Sequence, residues 1–269
     1  MAIDLGWARA GRAYAWLSAE GFLVGALILL LLNLGVGAQP GTGLAQYANS
    51  TWLVVLASTF LLLGMVSIIP VGLALRELLG RGGVGPELVA TFFLAGGLLG
   101  VASRLLLIPI RLSLASFSTT RGIQPQVLNG YMLTYTTIEN ATNWLLYGWF
   151  LLTGLALFYA SLSAMRQDTL PRAWGWLGLA SAVGCWLVVL LTLATMALTN
   201  VPAVSLAARL SMAAVGMILI PAWLTWLGRE LGVVLSRDRA AADGSPETSR
   251  RWTTRLRRMP IGVPWTRPA

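Results

Sequence analysis

The chain has 269 residues, of which 57% are hydrophobic and only 11% charged, with a mean hydropathy of +0.73. A soluble domain carries about 25% charged residues, so an ordinary water-soluble fold is excluded, as is disorder over most of the length, which needs low hydrophobicity and high charge. The net charge is +9, every basic residue is Arg, and the chain has no His, no Lys and one Cys, Cys185. These absences remove Schiff-base chemistry with retinal or pyridoxal, His-ligated haem or metal and imidazole proton shuttling, and any intrachain disulfide or Cys-based cluster.

Six segments reach the roughly 20 apolar residues that a membrane-spanning helix needs. The first runs from about Trp16 to Gly37 and carries Glu20 near its start. Val36-Gly37-Ala38 loosely resembles a signal-peptidase site, but the span is long for a signal peptide and retention is expected. The second span covers about Trp52 to Leu75, and the third about Leu88 to Ile110 with Arg104 inside it. The long connection Arg111 to Asn140 has room for a short helix of its own. The fourth span covers about Ala141 to Ser163, the fifth about Trp174 to Leu198, and the sixth about Leu210 to Gly228. Cys185, in the apolar run Val183 to Leu191, reads as a small buried hydrophobe. Pro70, Pro109 and Pro221 each remove a helix hydrogen bond and are expected to kink or shape packing. Small residues four apart offer flat faces for helix contact: Gly21 and Gly25, Gly96 and Gly100, Ala180 and Gly184. Arg76-Glu77-Leu78 and Arg229-Glu230-Leu231 close the second and sixth spans alike, which hints at a repeated hairpin, although chance explains it equally well. The expected fold is all-α: a six-helix transmembrane bundle over residues 1–236, then a basic, largely disordered tail over 237–269.

Arg orients this bundle. Fifteen Arg fall on the side of the two termini and three on the other, with Arg104 left within a span. The positive-inside rule then places both termini in the cytoplasm, and Trp16, Trp174, Trp176, Trp223 and Trp226 form an aromatic belt at the inner boundary. The expected location is a bacterial cytoplasmic membrane, crossed several times.

Charges at membrane depth are the default functional candidates because they are costly to place there. Arg104 lies seven residues, roughly 10 Å of helix, inside Arg111, on nearly the same face. The fourth span begins on that outer side with Glu139-Asn140-Ala141-Thr142-Asn143, and Glu139 is the sole acid there. Arg104, Arg111, Glu139, Asn140 and Asn143 thus form a candidate outward-facing polar pocket for an anion, a lipid headgroup or a small polar solute. The plainer reading is that Arg104 snorkels to the surface or ties two helices together. Glu20 is a candidate inner polar site, or an interfacial carboxylate near Arg9 or Arg12. Glu77, Glu87, Asp168 and Glu230 read as solvated partners of nearby Arg, each worth little. No Ser–His–Asp or Ser–Lys set is possible, no nucleotide fingerprint stands in a strand-to-helix setting, and the spans contain no Asp. No catalytic residue, cofactor or metal is expected.

In the tail, Ala240 to Ser249 is polar, and Arg250, Arg251, Arg255, Arg257 and Arg258 then surround Trp252, Leu256 and Met259. Beside a membrane this reads as a segment that binds anionic headgroups at the cytoplasmic face, at about 1 kcal/mol per Arg. Nucleic acid is not the expected partner. A membrane-protein partner or a second copy remains open.

The opening Gly11-Arg12-Ala13-Tyr14 into a span with Glu20, the third span with Arg104, the fourth span Asn143 to Ser163, and the turn Thr169-Leu170-Pro171-Arg172-Ala173-Trp174-Gly175-Trp176-Leu177-Gly178 together resemble a family of bacterial six-helix membrane proteins catalogued as a domain of unknown function. The resemblance covers roughly residues 10 to 230 and implies a fold without an activity. Members often carry His in the fourth span; this chain has none. Three functions stand against one another: a non-enzymatic membrane protein that binds a lipid, a small polar ligand or a partner helix; a small-solute transporter or permease using the Arg104 pocket; and a membrane enzyme, disfavoured by the scarcity of acid–base groups.

Overall fold

The computed structural model describes residues 5–36, 43–80, 83–118, 125–197 and 202–242. Five apolar segments form single helices: α1 Leu5–Val36, α2 Gly43–Leu78, α3 Val84–Ser118, α4 Pro125–Gln167 and α5 Arg172–Ala197. The sixth is a continuous unit of three pieces: α6 Pro202–Ala214, a π-helical turn Val215–Leu219 and α7 Ile220–Ala242. Six stretches are long and apolar enough to cross a membrane, from Gly6–Leu32 to Ala203–Ser236. The described residues contain no strand. The chain is an all-α bundle with the architecture of a multi-pass membrane protein. Helices suit this setting because every backbone group bonds within its own segment, where lipid offers no partner. Large apolar side chains face outward on several helices, as at Leu31, Leu98 and Leu190, and lipid is the solvent that favours them there.

The helices are neighbours in chain order: α1 packs on α2, α2 on α3, α3 on α4, α4 on α5, α5 on α6, and α7 returns to α1. Aromatic side chains fill the centre across this ring. Phe22 of α1 and Trp149 of α4 lie 5.4 Å apart between ring centroids, Phe93 of α3 and Trp223 of α7 6.2 Å, and Trp174 of α5 stacks on Trp223 at 4.7 Å. Trp149, Trp174 and Trp223 are fully buried.

Two small-residue faces act as the spacing predicts. A Cβ at Gly21 would stand 2.7 Å from both the Gly64 nitrogen and the Phe60 carbonyl oxygen of α2, so these two backbones touch. Gly96 faces Leu152 and Thr153 of α4, and Gly100 lies between Met65 of α2 and Trp149. The third pair differs. Ala180 is exposed, and Gly184 alone meets Val215 of the π-turn, while the inward stripe of α5 runs through Trp174, Gly178 and Cys185.

The connection expected over Arg111 to Asn140 is also different. Helix α3 runs on to Ser118 and α4 already begins at Pro125, so the polar stretch prolongs two spans instead of forming a separate short helix. Pro125 suits the first helical position, where no N–H is needed. The hydroxyls of Ser113, Thr134 and Thr137 each donate to the carbonyl one turn back, so these polar side chains are satisfied within the helix. Pro70 and Pro109 stand inside uninterrupted helices. Pro221 instead follows the π-turn, in which the Ile220 N–H donates to the Val215 carbonyl. Without an N–H, Pro221 cannot bond to the Met217 carbonyl, and the wide turn accommodates the loss. At the far end α7 continues to Ala242, beyond the boundary expected at residue 236.

Candidate functional site

The α3–α4 seam brings most of the expected outer cluster to one level. Ser103 donates a 3.0 Å hydrogen bond to the Thr142 carbonyl, and Thr142 in turn donates to the Glu139 carbonyl at 2.8 Å. The next residue along α3 is Arg104, which is only 8% exposed. It is held inside the bundle and does not snorkel. Arg104 and Glu139 are both engaged in interactions. Asn143 is half-buried and Asn140 exposed. The Arg111 backbone belongs to α3, but its side chain lies outside the described residues, as does the Arg250 to Arg258 segment with Trp252. Glu20 is exposed on α1, one residue from the α1–α2 contact.

Among the predicted carboxylate partners, Glu87 accepts from Arg76 Nε at 2.8 Å and ties α2 to α3, with both side chains part-exposed. Asp168 and Arg172 stand 3.6 Å apart in the open turn between α4 and α5, where Asp168 adopts a positive φ of 50°. Glu230 differs from the expectation: its carboxylate accepts from Trp226 Nε1 at 3.0 Å, one turn earlier on α7.

A cleft lies at the opposite end of the molecule, between the first and last spans. It measures about 910 Å³ and runs along α1 and α7, within the size range of ligand sites. The two helices are antiparallel there, since Gly216 faces Ala26 while Gly232 faces Arg12. Two glycines one turn apart, Gly228 and Gly232, leave a flat strip on α7. Two α1 side chains at the same spacing lie on it. The Trp16 indole nitrogen comes within 2.8 Å of where a Gly228 Cβ would stand, and the Arg12 guanidinium carbon within 3.3 Å of the corresponding point at Gly232. Arg12, Trp16 and Arg229 form the polar end of the cleft, with Thr225 and Trp226 beside them. Leu23, Met217, Ile218 and Pro221 form an apolar slot toward mid-membrane. The π-turn and Pro221 shape that slot, a common use of π-bulges.

No protein-family model, no curated protein and no solved structure matches the chain. Its site is therefore read from chemistry alone. The cleft offers two guanidinium groups and the Trp16 indole at one end and an apolar slot at the other.

A second interior feature sits where α4, α5 and α7 meet. Ser161 Oγ is the nearest atom to the missing Cβ of Gly178, and Trp223 Nε1 is 2.7 Å from the same point. Ser161 Oγ, Trp223 Nε1 and Trp174 Nε1 are buried and have no hydrogen-bond partner among the described residues. Such groups cost about 1–3 kcal/mol each when left dry, so this niche is a strained spot in the core. It includes Trp174 and Gly178 from the turn singled out in the sequence.

Sequence reasoning missed the α1–α7 cleft. In the sequence Arg12 and Arg229 read as orienting charges and carboxylate partners, and Gly228–Gly232 is not among the small-residue pairs. Its four-residue spacing was a visible signal, matched by that of Arg12 and Trp16. What no local pattern shows is that the first helix meets the last.

Proposed function

We propose that this is a non-enzymatic membrane protein that binds a lipid or similar amphiphile laterally, through the cleft between α1 and α7. The observation that carries this reading is the gradient within the cleft, from Arg12, Trp16 and Arg229 at one end to Leu23, Met217 and Ile218 at the other. An amphiphile matches that gradient, whereas a small polar solute leaves the slot unfilled. The setting is a bacterial cytoplasmic membrane with both termini inside, as the Arg asymmetry suggests. A photoactivatable phospholipid, cross-linked in reconstituted vesicles and mapped by peptide mass spectrometry, tests the proposal. Labels are expected to concentrate on residues 12–23 and 217–236. Labelling spread over all lipid-facing helices in proportion to exposure would overturn it.

A second reading, a small-solute permease, draws on Arg104, a charge buried to 8% exposure beside the Ser103–Thr142 contact. Ionisable residues at this depth mark solute pathways in many membrane proteins. Proteoliposome uptake of small anions that is lost in Arg104→Gln favours it; uptake no faster than in empty vesicles removes it.

A further inference from the structure

The cleft's polar end is built for more than a generic amphiphile. Arg12 and Arg229 both line it and are exposed, and neither makes a hydrogen bond or ion pair among the described residues. Arg76 is paired with Glu87 and Arg172 with Asp168, while the exposed Arg9 and Arg166 do not line the cleft. The acid adjacent to Arg229, Glu230, is held by Trp226. Two cations are therefore available at the mouth of an apolar slot.

The placement of Arg12 is specific. Its guanidinium lies across Gly232, with Nε and Cζ each 3.3 Å from the point where a Cβ would stand. Any larger residue would displace it from the groove wall. Depth also fits. Arg12 precedes Leu23 by eleven residues, and Arg229 follows Ile218 by eleven. Eleven residues span about 16 Å of helix, close to half of a hydrocarbon core roughly 30 Å thick. When the slot reaches the bilayer middle, both guanidinium groups stand at headgroup level in the leaflet on the side of the termini. Planar, forked N–H donors match phosphate oxygens better than a diffuse cationic surface does.

We infer that the α1–α7 cleft selects a phospholipid with a net negative headgroup from the leaflet on the side of the termini, its phosphate held between Arg12 and Arg229 and one acyl chain laid along Leu23, Met217 and Ile218. This rests on the amphiphile reading above and adds the headgroup and the leaflet.

The test is native mass spectrometry of the full-length chain, released from detergent after titration with phosphatidylglycerol, phosphatidylcholine or inorganic phosphate. Wild type is expected to retain phosphatidylglycerol about tenfold more strongly than phosphatidylcholine, and Arg12→Gln and Arg229→Gln to lose most of that preference. Arg166→Gln removes an exposed charge at the same end of the bundle, away from the cleft, and is expected to change nothing. An equal loss in Arg166→Gln, or equal retention of the two lipids by wild type, overturns the headgroup inference while leaving a lipid-binding cleft. Displacement of phosphatidylglycerol by millimolar inorganic phosphate overturns the lipid as the source of the anion. Ala222→Trp fills the slot from a residue that lines it. If that variant folds, by the same elution profile as wild type, yet keeps both lipids, the cleft reading itself falls. Loss of both lipids in it supports the site.

Discussion

Helix α1 makes two glycine-assisted seams of opposite character. Toward α2, Gly21 meets backbone, the Gly64 nitrogen and the Phe60 oxygen, while Gly25 meets the Leu61 side chain and the Ala57 oxygen. Toward α7, the glycines belong to the partner, and α1 lays Trp16 and Arg12 on them. The first seam is closed because Gly21 and Gly64 let the backbones approach and Leu61 fills the space over Gly25. The second is wedged open by two large side chains, and a cleft remains beside them. Glycine pairs thus do not by themselves mean tight helix association; what faces them decides whether a seam binds helix or ligand.

The largest expected effect breaks the closed seam. Gly21→Leu would drive a side chain into backbone atoms that cannot rotate away, costing more than the about 1–3 kcal/mol usual for overpacking; loss of a monodisperse folded peak on gel filtration checks it. Gly228→Val probes the open seam. Its side chain meets the movable Trp16 indole, so a cost of about 1–3 kcal/mol is expected, read as a lower midpoint in thermal unfolding in detergent.

A third seam sharpens the contrast from the other direction. Ser161→Ala removes a buried, unbonded hydroxyl between α4 and α5 and is expected to stabilise by about 1 kcal/mol in the same assay. Breaking the α2–α3 ion pair with Glu87→Gln is expected to cost less than about 1 kcal/mol, and less still at high salt, because both groups are part-exposed. Smallest in stability is Gly232→Ala. Its Cβ meets only the flexible Arg12 head, and Ala is the better helix former. The unfolding midpoint is expected to hold or rise slightly while retention of anionic lipid falls.

These seams also show what a sequence can reveal here. The six spans are legible because crossing lipid imposes a long apolar run on each segment. The Gly21–Gly25 face is legible because α1 and α2 are consecutive, so a small stripe on one readily finds the other. The extensions of α3 and α4 are not, since residues such as Thr134, Thr137 and Asn140 have a loop-like composition, yet all lie within α4, where the Thr134 and Thr137 hydroxyls donate to the Gly130 and Leu133 carbonyls. Arg104 stands out as a charge within an apolar run, yet its burial depends on what packs around α3. The cleft needs the longest-range fact of all, the return of α7 to α1, and no property of residues 12–23 announces it.

The π-turn at Val215–Leu219 has a consequence for angular phase. An α-helix turns about 100° per residue, and a π-turn in effect lodges one additional residue in the ladder without lengthening the span by a full turn. Everything after it inherits that offset: Gly228, Arg229 and Gly232 point where they do because of a residue count fixed a dozen positions earlier. Winding 215–219 as ordinary α-helix with every residue kept would swing the glycine strip about 100° away from Trp16 and Arg12, whereas deleting one residue there would regularise the helix and leave the strip facing α1. The facing of the last helix toward the first is set by this single miscount, upstream of any side chain in the cleft.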